Sequence, residues 1–142
     1  MTGLAGGDPA AAGSGLHCRL FPPLHGELIG LLRLAAGDWS GPAIAGHWRV
    51  RDGTAHLLDV DLGWLSAPRA GHLPASPEPI GSYGELVRFL NRLNTDWVAA
   101  SQRLSPRILV ELLSLTGTLV ADASAALPPH QMATFAVATA AL

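Results

Sequence analysis

The side chains best suited to chemistry in this chain lie together in the segment 48–61, WRVRDGTAHLLDVD. His56 follows Asp52 by four residues and precedes Asp59 by three, so all three side chains share one face if the segment is helical. An imidazole between carboxylates can bind a divalent metal such as zinc, with an aspartate either ligating the ion or orienting the ring. The spacing alone favours a solvated helix face, because acid–histidine neighbours of this kind are common on helices.

Asp61 is a further candidate, because the helical pattern places it among apolar residues. Burying a polar group without a partner costs on the order of 2–7 kcal/mol. We therefore expect Asp61 to contact a metal ion or a later arginine such as Arg92, or to lie in water at the end of the bundle. The other histidines match no ligand spacing and are predicted to be surface or loop residues: His17, His25, His47, His72 and His130. Cys18 is predicted to be incidental.

Two predicted helices position these candidate residues. The first is predicted to open at Pro22-Pro23, because proline suits the first helical turn, and to end at Gly37. The second is predicted from Val50 to Ala67, with Pro68 as its stop. Their predicted buried faces are Leu24, Leu28, Leu31 and Ala35 in the first, and Val50, Thr54, Leu57, Leu58, Leu62 and Leu65 in the second.

Two more helices follow the loop 69–81. Ser82 and Glu85 have the spacing of a capping box, and Ser105-Pro106 has the pattern of a cap followed by a proline at the first helical position. Four amphipathic helices with mostly short connections predict an all-α, antiparallel four-helix bundle. The predicted seams are Leu86, Leu90, Leu93, Trp97, Ala100 and Leu104 in the third helix, and Leu109, Leu112, Thr116, Leu119 and Ala123 in the fourth.

Composition restricts the class of protein. The chain has 142 residues, 49% hydrophobic and 14% charged, which is too apolar for a disordered chain and predicts one folded domain. We expect a disordered leader over 1–18 and the bundle over 19–142. A net charge of −2 without a basic cluster argues against nucleic-acid binding. A single cysteine, no signal peptide and no membrane-spanning apolar run predict a cytoplasmic protein with no membrane partner.

The segments LFPPLHGELIGLLRLAAGDWSGPAIAGHWRVRDGTAHLLDVDLGWLS and SYGELVRFLNRLNTDWVAASQRLSPRILVELLSLTG resemble the N-terminal domain of mycothiol-dependent maleylpyruvate isomerases. That family belongs to the DinB-like metal-binding bundles. The likeness covers residues 19–138 and is most specific at Trp48, Arg49, Asp52 and His56. It implies a DinB-like antiparallel four-helix bundle.

The resemblance also implies a metal site and a chemistry. In the family, the histidine matching His56 is one of three metal ligands, usually for zinc, and a glutamate and a histidine four residues apart follow on a later helix. This chain contains no such pair, so the resemblance implies a bundle truncated before its last ligand-bearing helix, or completed from elsewhere. The implied cosubstrate is a mycothiol-type thiol, whose pKa the metal would lower, and the implied substrate resembles an organic acid.

Two functions of different classes remain open. The first is a metal-dependent isomerase or transferase, with His56 as a ligand and further donors from Asp52, Asp59, Asp61 or a partner subunit. The second is a non-catalytic bundle that has lost the metal site and acts through helix packing or homodimerisation, because a stripped helix face would leave an apolar patch.

Overall fold

The computed structural model describes residues 9–34, 38–43, 46–76 and 78–126, and for residues 9–18 and Pro68 it describes the backbone alone. Four helices form the described part: α1 (Pro9–Leu34), α2 (Val50–Trp64), α3 (Tyr83–Ser101) and α4 (Pro106–Ala126). A π-helical turn, Leu65–Arg69, continues α2. No strand occurs in these ranges, so the predicted all-α, DinB-like bundle is confirmed there.

Helix α4 is the central element. It packs against α1 and α2, while α3 packs against α2. By length and composition alone α4 could cross a membrane, although no membrane-spanning run was predicted in the chain. Its inward residues nevertheless form a protein core with α1 and α2. This core consists of Ile29, Leu32, Ala55, Leu58, Leu109, Val110 and Leu113.

Helix α1 begins earlier than predicted. It starts at Pro9, so it includes residues 9–18 of the expected leader and passes through Pro22 and Pro23, which were expected to open it. The predicted start at Pro22-Pro23 was wrong because the alanine-rich stretch before it continues the helix, in keeping with the high helix propensity of alanine. Each internal proline removes one backbone hydrogen bond. Residues 1–8 lie outside the described residues.

The buried face of α1 also differs from the prediction. Ile29 and Leu32 are buried, whereas Leu24 and Leu31 are each 64% exposed. The inward face is therefore rotated from the predicted stripe by about one residue, and it carries His25 and Leu28 toward the other helices. Ala35 and Gly37 lie outside the described residues.

The buried face of α2 is similarly corrected. Thr54, Ala55, Leu58 and Asp61 are buried, while the predicted Leu57 and Leu62 are partly exposed. The helical segment does not end at Ala67 before Pro68 as predicted, since the π-helical turn runs to Arg69. A proline in a regular α-helix would clash with the carbonyl four residues earlier, and a π-turn widens the backbone where an α-turn would be too tight.

The predicted caps at Ser82 and Ser105 are confirmed, whereas the Glu85 carboxylate of the predicted capping box bonds the residue before the cap. Ser82 Oγ accepts a hydrogen bond from Glu85 N at 3.3 Å, and Ser105 Oγ accepts one from Ile108 N at 3.3 Å. Glu85 also accepts from the backbone N–H of Gly81 at 2.8 Å. These bonds satisfy N–H groups that a helix start leaves without intrahelical partners.

Two side chains hold α3 against the start of α2. The Arg51 guanidinium Nη2 donates to the carbonyls of Ser101 at 2.9 Å and Leu104 at 2.6 Å, which binds the C-terminal end of α3. One turn along α2, the carbonyl of Ala55 accepts from Trp97 Nε1 at 2.7 Å. The segment that carries His56 is therefore fixed on its α3 side.

A close approach of α1 to α4 depends on Gly117. The imidazole of His25 lies directly against this residue, so that a Cβ at position 117 would overlap the ring. His25 Nε2 is 3.1 Å from the carbonyl oxygen of Leu113, a hydrogen-bond distance. The absence of a side chain at Gly117 therefore lets α1 and α4 pack with the imidazole between them.

Gly117→Ala is expected to destabilise the domain by about 1–3 kcal/mol, because the ring or the helix must shift to admit the methyl group. The measurement is urea unfolding followed by circular dichroism. Gly53→Ala in α2 is the matched control: its Cβ would meet no atom within 4 Å, so it should be neutral or stabilising. Equal unfolding midpoints for Gly117→Ala and the unchanged protein would show that the contact is not restrictive.

Candidate functional site

His56 lies in the second turn of α2, half-buried beside Trp48. The two rings have centroids 5.1 Å apart and are tilted by 57°. The backbone fixes the tryptophan, because the carbonyl of Trp48 accepts from Ala43 N at 2.8 Å and Val50 N donates to the Gly41 carbonyl at 3.0 Å. Trp48 therefore packs against one side of the imidazole.

The Nδ1 atom of His56 is buried, and among the described residues it has no hydrogen-bond partner. A buried polar atom in this state costs about 1–3 kcal/mol, so native proteins rarely leave one without a hydrogen-bond partner, a bound water or a metal ion. A ring nitrogen without a proton has a lone pair available to a hydrogen-bond donor or a metal ion. This atom is the strongest sign of a ligand in the described part of the chain.

Asp59 is the carboxylate whose pKa is affected by His56. Partial burial raises the pKa of Asp59 above its ordinary value, and the nearby His56 offsets part of that rise. Its carboxyl group is thus partly desolvated and within electrostatic range of the imidazole. His56 and Asp59 are therefore two possible donor side chains in one region of α2, and their role as metal ligands stays a prediction.

Asp52 has a different role in the structure. Its Oδ2 accepts a hydrogen bond from the backbone N–H of Arg49 at 3.0 Å, and its Oδ1 accepts one from Gln102 Nε2 at 3.1 Å. Both carboxylate oxygens are therefore used to cap α2 and to contact the end of α3. The sequence spacing that suggested a metal donor is explained here by helix capping.

Asp61 turns inward and away from His56, since its offset of five positions places it about 140° around α2. It is 7% exposed, and its Oδ2 accepts a hydrogen bond from Thr116 Oγ1 of α4 at 2.7 Å. The expectation of a contact with Arg92, or of a position in water at the bundle's end, is wrong. The sequence does not predict Thr116 as the partner, because it does not show which residues of α4 lie opposite Asp61 of α2.

His25 is the polar residue that sequence reasoning missed. It was predicted to be a surface residue, but it lies between α1 and α4. Its ring stacks on that of Phe21, with the ring centroids 5.3 Å apart. It also acts electrostatically on Asp61, so one buried region joins α1, α2 and α4 through polar groups. The available signal was its spacing of four from Ile29 and seven from Leu32, the residues that prove to be buried.

The described residues contain part of a metal site at most. No group of three or more His, Cys, Asp or Glu side chains in these ranges could hold a metal ion. His56 and Asp59 share one region, while Asp52 and Asp61 face other partners. Any complete site built on His56 therefore requires donors from outside the residues that the structure describes.

Residues 21–141 match the family model of the mycothiol maleylpyruvate isomerase N-terminal domain. The chain belongs to this family. The match covers nearly the whole region that the sequence resemblance indicated, and the four helices agree with the DinB-like fold of the family. No curated protein and no solved structure matches the chain at a significant level. Membership in this family makes the chain a DinB-like domain of the mycothiol isomerase type.

The environment of Asp61 predicts a pH-dependent stability. Burial raises its pKa above the ordinary 3.8, an effect that the Thr116 bond and His25 only partly oppose. The folded protein therefore holds the Asp61 proton more tightly than the unfolded chain does. This contribution to stability is fully present below about pH 3.8 and is lost as the pH rises through the raised pKa.

Asp61→Asn is accordingly expected to unfold at a higher urea concentration than the unchanged protein at pH 7, with the difference shrinking toward pH 4. Asparagine keeps an acceptor for the Thr116 hydroxyl but cannot ionise. Asp96→Asn, at an exposed position of α3, serves as the control and should leave the unfolding midpoint nearly unchanged at both pH values. A destabilised Asp61→Asn protein at pH 7 would contradict this reasoning.

Proposed function

We propose that this domain binds a divalent metal ion, with zinc as the first candidate, through His56 and serves thiol-dependent isomerase or transferase chemistry. The observation that carries the proposal is the buried His56 Nδ1 atom, which lacks a partner among the described residues. Family membership supports it, because His56 matches the position of a metal ligand in the resemblance. The half-buried setting beside Trp48 suits a ligand whose orientation must be fixed.

Three residues of this chain would have separate roles at such a site. His56 would donate to the metal, Trp48 would restrict rotation of the ring, and Asp59 would ligate the ion or stabilise the imidazole electrostatically. Donors from residues outside the described ranges or from a partner subunit would complete the site. A bound divalent ion would lower the pKa of a mycothiol-type thiol and so supply a thiolate near neutral pH.

The substrate and the cellular setting belong to the same proposal. The substrate class is a small organic-acid-like molecule that a thiolate can attack, and the setting is the cytoplasm, where a thiol cosubstrate and the single Cys18 stay reduced.

Metal analysis tests the role of His56. After incubation with zinc and removal of unbound ion, we expect the purified chain to retain zinc, measured by mass spectrometry of the metal. His56→Ala should weaken zinc binding at least about tenfold, since even changes to groups that only orient ligands cost 10–100-fold. His72→Ala, in the exposed loop after α2, is the matched control and should retain zinc normally. Equal zinc in the His56→Ala and control proteins would exclude His56 as a ligand.

A second candidate is a bundle that acts through dimerisation. The outward face of α1 presents a row of exposed leucines in the described structure, namely Leu20, Leu24, Leu31 and Leu34. Exposed leucines on one helix face favour contact with another surface, although the exposed Glu27 lies among them. This function needs no metal, so it remains possible if His56 does not bind zinc.

Sedimentation velocity distinguishes the dimer from a monomer. If the leucine row forms an interface, Leu24→Glu with Leu31→Glu should convert the dimer to a monomer, because charges in an apolar interface are strongly unfavourable. Ile108→Glu, at a partly exposed position of α4 outside the row, is the control and should leave the dimer intact. A monomeric unchanged protein would contradict this candidate.

A further inference from the structure

A groove lies between the end of α1, the loop at Trp39 and the start of α4. It encloses about 510 Å³, within the range of small-molecule sites in proteins. Its apolar part is formed by Leu32, Val110, Trp39 and Pro106, of which Leu32 and Val110 also belong to the buried core. Neither His56 nor Asp59 lines it, so it is separate from the candidate metal donors.

The walls of the groove are fixed by backbone hydrogen bonds. The carbonyl of Trp39 accepts from Arg51 N at 3.2 Å, and Gly41 N donates to the Asp38 carbonyl at 3.0 Å, which closes the turn that carries the indole. On the opposite wall, the backbone carbonyl of Ser105 accepts a hydrogen bond from Leu109 N at 3.0 Å, which holds the first turn of α4 at Pro106. A groove with both walls held in this way needs little reordering to receive a ligand.

The rim of the groove carries one positive charge that is not paired with a carboxylate among the described residues. Arg107 donates to Glu111 Oε1 at 2.8 Å, so these two opposite charges largely satisfy each other. Arg33, in the last turn of α1, has no hydrogen bond or ion pair among the described residues. The groove therefore combines an apolar floor with the guanidinium of Arg33, which no described residue pairs, so it can bind an anion.

We propose that this groove binds a small carboxylate with an apolar body, whose carboxylate pairs with Arg33 while its body packs on Leu32, Val110 and Trp39. A guanidinium binds a carboxylate through two parallel hydrogen bonds, which fixes the orientation as well as the position of the ligand. The indole supplies a flat apolar wall suited to an aromatic or unsaturated body. Metal at His56 is not required for this binding.

The test is an NMR titration of the ¹⁵N-labelled protein with phenylacetate, observed at the indole N–H of Trp39. That signal is assigned from the spectrum of Trp39→Phe. We expect saturable shifts of the Trp39 signal with phenylacetate, and binding at least about tenfold weaker for 2-phenylethanol, which has the same apolar body without the charge. A hydrogen-bonded ion pair accounts for a difference of this size.

Variants assign the binding to the groove. Arg33→Gln should weaken phenylacetate binding at least about tenfold, whereas Arg92→Gln, an exposed arginine of α3, should bind as the unchanged protein does. His56→Ala should also bind phenylacetate normally, which separates this result from the proposed metal site. Unshifted Trp39 signals, equal affinities for the two probes, or normal binding by Arg33→Gln would each overturn the proposal.

Discussion

The packing of α4 against both α1 and α2 is the constraint on which the rest of this structure depends. Two of its links are polar and lie inside the bundle: Thr116 donates to Asp61 of α2, and the Leu113 carbonyl lies within hydrogen-bond distance of His25 of α1. Polar groups in a core have fewer acceptable arrangements than apolar ones, because each must find its partner. These links therefore select one orientation of each helix about its own axis. Contacts between leucines alone would permit several orientations.

The rotation of α2 decides what its other side chains can do. With Asp61 directed at α4, His56 is turned toward Trp48, and Asp52 faces the end of α3. The three carboxylates thus have different surroundings: Asp61 bonds α4, Asp52 caps α2, and Asp59 lies within electrostatic range of the imidazole. A site with one histidine and one nearby carboxylate follows from this division, and its completion depends on residues that the structure does not describe.

Much of the helical framework was predictable from the sequence, because caps and loops have local signals. Ser82 with Glu85, and Ser105 with Pro106, indicated where α3 and α4 begin, and both starts are confirmed. The faces of α1 and α2 were less predictable, since leucines occur on both sides of each helix and only packing selects one side. His25 illustrates the difficulty: its inward position depends on Gly117, which is 92 residues away in the chain.

The π-helical turn after α2 has a consequence for how relatives of this chain can vary. A π-turn accommodates one residue more than an α-turn of similar rise, so it is a natural place for a single-residue insertion in a helix. A relative without the proline at position 68 can delete one residue there and continue as a regular α-helix, with every side chain of Val50–Trp64 kept on its present face. An alignment gap within Leu65–Arg69 would then mark a change of helix type and no change in the orientation of His56.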